Sequence, residues 1–309
     1  MPRPRVAVIG APSSAGAHHA GQEQAPAALR AAGFVSRLRS AGLDVVDMGD
    51  VVGATFTLDA PESKARNLSI VVEAARTVAD AVEKAVVDGR LPVVLGGDCT
   101  LTLGVVVGIQ RRQPDVGMVY FDGDADLATP ERTASGVLDS MGVAHMLGLT
   151  DNQLARLGHH WPMLDPTHLV LFGYDEHDLD AYPPHALASL TALARYTYRQ
   201  VRDAPVASAS AALASLREST EHVIVHFDVD SIDSRDLPLG NFPHYGTGVP
   251  LAVARDALTT FYQAPLLAAA ILTEVNPSYD PSGVSLSRYI DAVAGALISG
   301  LGRETPFTA

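Results

Sequence analysis

The chain is short of cysteine, of basic residues and of long apolar runs, and each shortage removes a class of protein. Its 309 residues contain one cysteine. A disulfide framework within the chain is thereby excluded, and a reducing compartment, the cytoplasm, is the expected location. Lysine and arginine number 22 against 35 aspartates and glutamates, a formal net charge of −13. Such an excess of acid repels phosphate backbones and anionic lipid, which argues against nucleic acid and membrane surfaces as partners. The opening MPRPRVAVIGAP has an apolar run too short for a secretory signal, with two prolines at its start. No window reads as long enough for a transmembrane helix. There is also no Pro/Gly/Ser-rich linker and no internal repeat, so residues 1–309 are expected to form a single domain.

What the chain does contain is material for an ordered core, with 47% hydrophobic residues against 18% charged. Short apolar, β-branched runs occur at Arg5–Ile9, Leu43–Val46, Leu91–Leu95, Gly117–Phe121, His168–Phe172, His222–Phe227 and Leu267–Leu272. Several are apolar throughout, as expected of strands buried on both faces of a parallel sheet. Alanine-rich stretches with helical spacing lie between them, at Ala25–Ala32, Ser69–Val87, Ala209–Glu218, Leu251–Tyr262 and Ser287–Leu301. The alternation predicts an α/β fold, three layers α/β/α around a mostly parallel, doubly wound sheet. Asp233–Val249, rich in Pro, Gly and Asn, reads as a long loop of the kind that often carries function.

In such sheets ligands gather beyond the carboxyl ends of the strands. The residues that follow each strand therefore matter most. Gly96-Gly97-Asp98-Cys99-Thr100 follows the third run, and Asp122-Gly123-Asp124-Ala125-Asp126 the fourth. Asp228-Val229-Asp230-Ser231-Ile232-Asp233 follows the sixth, and Thr273-Glu274-Val275-Asn276-Pro277 the seventh. Four strands thus deliver carboxylates to one edge. Like charges held that close are costly unless protonated or neutralised by cations. Hard divalent metals favour oxygen ligands, and two can share such a cluster. For a single Asp-x-Asp-x-Asp a solvated acidic turn is an equal alternative. Two clusters on one edge, Asp122/Asp124/Asp126 and Asp228/Asp230, argue against it. Gly96-Gly97 is not a phosphate loop, because it lacks the lysine and spacing and Asp98 repels phosphate.

These motifs, in this order, resemble those of the arginase–agmatinase (ureohydrolase) family over nearly the whole chain. Ile9-Gly10-Ala11-Pro12, Gly21-Gln22-Glu23 and Pro26-Ala27-Ala28-Leu29-Arg30 are similar to that family's opening strand, loop and first helix. GGDCT at 96–100 resembles GGDHS, and DGDAD at 122–126 resembles DAHAD. HFDVDSID at 226–233 resembles SFDxDxxDP, and TEVNP at 273–277 resembles EVNP. The resemblance implies an arginase-like fold and a binuclear Mn2+ hydrolase that removes urea, or another amidino-derived product, from a guanidino compound. It carries over Cys99, Asp122, Asp124, Asp126, Asp228 and Asp230 as metal ligands. Asp122 and Asp228 would bridge two metals, Cys99 and Asp126 complete one, and Asp124 and Asp230 complete the other. A water of lowered pKa would supply the hydroxide that attacks the guanidinium carbon. Glu274 would face the guanidinium, since a planar cation with forked donors is well held by a carboxylate. Asp98 would brace the ligand loop. The resemblance also implies a small cationic guanidino substrate and a homo-oligomer, trimer or hexamer.

The chain departs from that pattern in informative places. Both ligand histidines are replaced, one by Cys99 and the other by Asp124. Cysteine at the first place also occurs in the branch that resembles N-hydroxyarginine hydrolases of antibiotic biosynthesis, which usually keeps the second histidine. Five aspartates and a thiolate would set six negative charges against four from two divalent metals. Such a site keeps Cys99 a neutral thiol, protonates a carboxylate, or recruits a basic neighbour. The oxygen set of Asp124 and Asp230 favours Mg, Ca or Mn, whereas a thiolate favours softer metals. Two Mn2+ are the expectation, and one ion or another divalent metal is the alternative. Leu127–Asp139 resembles the segment that recognises an amino-acid head group. Thr133 and Ser135 match it, but Ala128 and Val137 stand where asparagines are expected. Asp139 stands where the family has its proton-shuttle histidine and reads either as a shuttle or as a cation contact; Asp126, Asp139 and Glu274 are the candidate catalytic residues. Thr133, Ser135, Asp178 and Glu274 are the candidate substrate contacts, Asp178 chosen from the acidic stretch Asp175, Glu176 and Asp178. Standard arginine is not the expected substrate.

Remaining residues carry plainer readings. His145 is a candidate general acid, but packing or capping is the commoner role of such a histidine. His226 takes the motif's serine-like place, where packing or support of a ligand is favoured over ligation. His159 and His160 read as a solvated loop cluster. His18 and His19 read equally well as lining a site mouth or as exposed loop. No histidine partner for Cys99 is placed by sequence, so a nucleophilic role is disfavoured. The rival to a hydrolase is a catalytically degenerate binding or scaffold protein without a hydrolytic metal pair, which the lost histidines favour. Deacetylases share the fold and a related metal site, but the opening segment, GGDCT and TEVNP fit ureohydrolases better.

Overall fold

The structure, a computed structural model, describes residues 4–60, 62–177 and 184–302. Eight strands form one parallel sheet: β1 (Arg5–Gly10), β2 (Asp44–Asp50), β3 (Leu91–Leu95), β4 (Val116–Phe121), β5 (Leu169–Tyr174), β6 (Ala194–Thr197), β7 (His222–Asp228) and β8 (Leu267–Thr273). Their order in space is β2-β1-β3-β8-β7-β4-β5-β6. Every predicted apolar run is a strand. β6 was not predicted: it is a short edge strand, Ala-Arg-Tyr-Thr, partly exposed along most of its length and without a continuous apolar signal.

Side chains alternate across the sheet into two cores. Leu95, Phe121, Val225 and Phe227 face one layer, with helices Leu251–Tyr262 and Val284–Leu301. Val94, Met118, Tyr120 and Ile271 face the other, with helices Leu68–Val87 and Leu101–Gln110. Helix Leu101–Gln110 escaped the sequence reading because it is buried on nearly all sides and shows no amphipathic period. Helix Val284–Leu301 corrects another expectation. With a mean hydropathy of 1.2 over 18 residues it is long and apolar enough, by length and composition, to cross a bilayer. Half of it is instead buried inside the protein, in the core with Leu251–Tyr262.

The topology sets up the site. The strands that end in the four acidic motifs are β3, β8, β7 and β4, which are adjacent in the middle of the sheet. Register aligns their ends, setting Leu95 beside Leu272, Phe121 beside Phe227 and Asp228 beside Thr273. The backbone continues this alignment past the strands, with the Gly96 N–H donating to the Leu272 carbonyl and the Glu274 N–H to the Gly97 carbonyl, each at 2.8 Å.

Candidate active site

Each acidic motif turns in a way its own first residue dictates. Asp122 Oδ1 accepts from the Asp124 N–H at 2.8 Å, and Asp228 Oδ1 accepts from the Asp230 N–H at 2.8 Å. These local side-chain-to-backbone bonds stop the strand and swing the second aspartate of each pair into the same space. The other carboxylate oxygens remain free to meet neighbouring strands. The Cys99 Sγ donates to Asp228 Oδ2 and lies 3.9 Å from Asp122 Oδ2.

The GGDCT loop is braced as expected. Asp98 accepts from the Ser13 hydroxyl at 2.9 Å, from the Gly16 N–H at 3.2 Å and from the Thr100 N–H at 3.1 Å. Gly97 passes so close to the loop after β1 that a Cβ there would sit 1.7 Å from the Ser13 carbonyl oxygen. Cys99 is thereby fixed at the sheet edge, and its N–H is shared between Glu274 Oε1 at 2.9 Å and Asp139 Oδ1 at 3.0 Å.

Cys99, Asp122, Asp124, Asp126, Thr133, Ser135, Asp139, Asp228, Asp230 and Glu274 all line one cavity of about 570 Å³. Asp178 lies outside the described residues. Its neighbours Asp175 and Glu176 turn elsewhere: Asp175 caps the His177 N–H, and Glu176 pairs with Arg199. Two of the three non-glycine residues with positive φ among the described residues are Asp126 (46°) and Glu274 (62°). Such strain persists where the surroundings hold it, commonly at functional sites.

Burial and mutual repulsion push the carboxyls up. Burial is the largest cause throughout, followed by Asp230 for Asp122 and Asp228, by Asp124 for Asp126, and by Glu274 for Asp139. Asp230 rises to about 6 and Glu274 to about 8. Burial, then Asp228, holds the Cys99 thiol well above its usual range, so it is neutral when no cation is bound. A buried set of this kind binds either protons or cations. Asp124 Oδ1 is buried with no hydrogen-bond partner. Hard oxygen donors in this number fit divalent metals.

Donor atoms fall into groups whose members lie within 4.8 Å of one another. One is Cys99, Asp122, His226 and Asp228; a second is Asp124, Asp230 and His244; a third is Cys99, Asp139 and Glu274. Asp126 joins none of them among the described residues and instead accepts a hydrogen bond from the Tyr120 hydroxyl. His226 was expected to pack or support. It does stack on Tyr120, with centroids 4.0 Å apart, and its Nδ1 meets the Thr102 hydroxyl at 2.8 Å. Its Nε2, however, faces Asp122 Oδ2 at 3.4 Å and Cys99 Sγ at 3.8 Å. Burial lowers its pKa to about 3, which leaves a neutral imidazole.

His244 was missed altogether. It follows no strand and belongs to no motif, and its only signal was membership of the Asp233–Val249 loop. That loop supplies Asn241, Phe242 and Pro243 to the cavity wall. His18 and His19 line the cavity too. His145 does not: it is buried, with Nδ1 at 2.7 Å from the Met141 carbonyl and Nε2 at 2.9 Å from Asn152. His159 and His160 are exposed.

Known proteins share this arrangement of strands. A family model described as the Arginase family matches residues 4–298. The arginase of Bacillus caldovelox is 30% identical over 299 residues, covering 96% of this chain and 97% of that protein. Human arginase-1 is 28% identical, covering 97% of this chain and 94% of its own. The solved structure of the Bacillus caldovelox arginase superposes with a TM-score of 0.82 at 27% identity, over 98% of this chain and 99% of the other. With a family match that spans residues 4–298, and an identity of 30% sustained along nearly the full length of both chains, this protein belongs to the arginase family.

Proposed function

We propose that this chain, acting as a single domain in the cytoplasm, is a metal-dependent hydrolase of a linear amidine or guanidino compound other than standard arginine. The observation that carries the reading is the convergence of Cys99, Asp122, Asp124, Asp228, Asp230 and Glu274 on one cavity, where burial raises the carboxyls of Asp122, Asp228, Asp230 and Glu274. Two Mn2+ are the proposed cofactors, with Cys99, Asp122, Asp124, Asp126, Asp228 and Asp230 as the proposed ligands. Bound divalent cations of this kind lower the pKa of water and so supply a nucleophile near neutral pH.

The chain's own residues do the rest. Glu274 and Asp139 converge on the Cys99 N–H from two elements, β8's extension and the segment after residue 138. Two carboxylates so close repel unless a proton or a cation lies with them. A guanidinium fits that requirement, because its forked donors can bridge two acceptors. The Gln22 side-chain amide donates to Glu274 Oε2 at 2.8 Å and fixes that carboxylate. Asp139 is positioned to take and return a proton at its free oxygen, in place of the family's histidine. The Thr133 and Ser135 hydroxyls line the cavity but also cap their own loop, at the Gly136 N–H (3.0 Å) and the Val137 N–H (3.2 Å). Ala128 lines the wall with no polar group, which supports a substrate without the α-amino and α-carboxylate contacts of arginine.

The test is reconstitution with Mn2+, Mg2+, Ca2+, Zn2+ and Ni2+ followed by metal analysis. About two equivalents per chain are expected, with release of urea or a related product from one member of a panel of guanidino compounds. A protein that retains no metal from any of these solutions is the degenerate binding protein instead.

A further inference from the structure

Resting on that reading, we propose that His244 is itself a metal ligand. Delivered by the Asp233–Val249 loop, it supplies the imidazole that position 124 lacks and completes a cation site with Asp124 and Asp230.

Three observations carry the proposal. The first is placement. His244 Nε2 lies 3.3 Å from Asp124 Oδ2, and the donor atoms of Asp124, Asp230 and His244 all lie within 4.8 Å of one another. His244 is only 5% exposed, so this is a ring turned inward and not a solvated loop histidine. Asp124 Oδ1, in the same group, is buried and accepts no hydrogen bond.

The second is the room made for it. A Cβ added at Gly123 would lie 2.7 Å from His244 Cδ2 and from Nε2. That is closer than real Cβ contacts come, and the obstacle is a buried ring with little freedom to swing aside. Gly123 is not among the residues with positive φ, so its backbone does not require glycine. The lack of a side chain at 123 serves the ring first and the Asp230 carbonyl oxygen, 3.0 Å from such a Cβ, second. Gly123 and Asp124 are the two places where DGDAD differs from DAHAD. One change removes an imidazole and the other opens the space through which a different imidazole enters.

The third is the way the loop is held. Its ends are closed by the Asp233 N–H to the Val249 carbonyl and the Val249 N–H to the Ser231 carbonyl, each at 2.9 Å. The Ser234 N–H donates to the His244 carbonyl at 2.8 Å. Across the loop, the Asn276 amide donates to Asn241 Oδ1 at 2.7 Å and the Asn276 N–H to the Leu239 carbonyl at 2.8 Å. The ligand loop is therefore tied to the segment that carries Glu274. An imidazole held from its own backbone and aimed at two carboxylates is a preorganised nitrogen donor, suited with oxygen to Mn2+.

The experiment is Mn2+ titration by equilibrium dialysis, together with pulsed EPR of nitrogen coupling to the bound ion. Wild type is expected to bind two ions. His244→Ala should keep one and bind the other at least tenfold more weakly, with loss of one imidazole nitrogen coupling. His244→Gln, of similar bulk but without the ring, carries the same expectation should the alanine variant fail to fold. The triple variant Gly123→Ala/Asp124→His/His244→Ala should recover two-ion binding and an imidazole coupling. If wild type binds two ions and both His244 variants keep the affinities and the nitrogen coupling, the inference is overturned while the hydrolase reading stands. If wild type binds no ion, both fall together.

Discussion

At one end of the carboxylate cluster every donor comes from the sheet edge. Cys99 follows β3, Asp122 follows β4, and His226 and Asp228 lie on β7, all within 3% of full burial. At the other end Asp124 sits three residues beyond the end of β4, Asp230 two beyond the end of β7, and His244 arrives on a loop. Those three are 9%, 7% and 5% exposed. Each end stands at a position where the family pattern has a histidine and this chain does not. Each end also has a histidine from a different element within reach. At each end the nearby ring comes from a different part of the chain, His226 from strand β7 and His244 from the Asp233–Val249 loop. The ring at the strand end is fixed by the sheet, whereas the ring at the other end is placed by the hydrogen bonds that hold its loop.

The largest expected effect joins the two ends. Asp228 touches the Cys99 thiol through Oδ2 and holds the Asp230 N–H through Oδ1. Asp228→Ala should abolish uptake of both ions and lower product release by on the order of 10³-fold or more. The same variant removes one of several repelling carboxyls, so the metal-free protein should melt at a higher temperature than wild type. Metal analysis and calorimetry check the two halves separately. Turnover that survives the change would mean the site lies elsewhere.

The exchange at the strand end can be probed by reversing it. Cys99→His puts an imidazole where Sγ already packs against Asp228 and lies 3.8 Å from His226 Nε2. Overpacking of that kind costs roughly 1–3 kcal/mol. Adding His226→Ser should recover most of the loss, a coupling of about 1–3 kcal/mol in denaturant unfolding of the metal-free proteins. Two independent single effects that simply add would show that the two positions do not share one space.

Much of this was legible in the chain, and the exceptions have physical reasons. Four acidic motifs could be placed on one edge because buried parallel strands are continuous apolar runs and the carboxylates follow them directly. Asp98 as a brace was readable from its motif. His244 was not, because a loop's path is set by tertiary hydrogen bonds such as those of Asn276 to Leu239 and Asn241, which leave no period in the sequence. The reading of His226 as packing or supporting agrees with its stacking on Tyr120 and its contact with Thr102; its approach to Asp122 and Cys99 was not legible, because a strand position reveals which face a side chain takes, not which neighbours it meets across two strands. β6 and helix Leu101–Gln110 escaped for opposite reasons, one too short and exposed, the other too uniformly apolar.

A smaller effect concerns pH. Glu274 has a folded-state value of about 8 against an ordinary 4.5, and Asp230 about 6 against 3.8. Raised values mean that the folded chain binds more protons than the unfolded one across that interval. The contribution to stability is present below 3.8 and 4.5 and is lost as pH rises through 6 and then 8. The metal-free protein should therefore melt at progressively lower temperature from pH 4.5 to 8. Saturating Mn2+ should flatten that slope, since cations replace the protons. A metal-free protein whose melting temperature is level over the interval would contradict the burial of these carboxyls.

The smallest change is a single methyl group at the loop end. Gly123→Ala narrows the unfolded ensemble, which alone stabilises by about 0.4–1 kcal/mol where the backbone conformation suits alanine. Gly123 does not use a positive φ, so that gain is available. Against it stands the His244 ring, 2.7 Å from the new carbon, an overlap of the sort that costs about 1–3 kcal/mol. The crowding term is the larger, so Gly123→Ala should be net destabilising and should weaken one Mn2+ while leaving the other unchanged. With His244→Ala in the same chain the nearer obstacle is gone and only the Asp230 carbonyl oxygen, 3.0 Å from the new carbon, still crowds it, so the added methyl should cost markedly less. The cost of that one substitution thus depends on whether the ring is present, which urea unfolding of four proteins can read. If the methyl has the same effect in both backgrounds, His244 does not occupy the space above Gly123, and the loop end holds its cation with carboxylates alone.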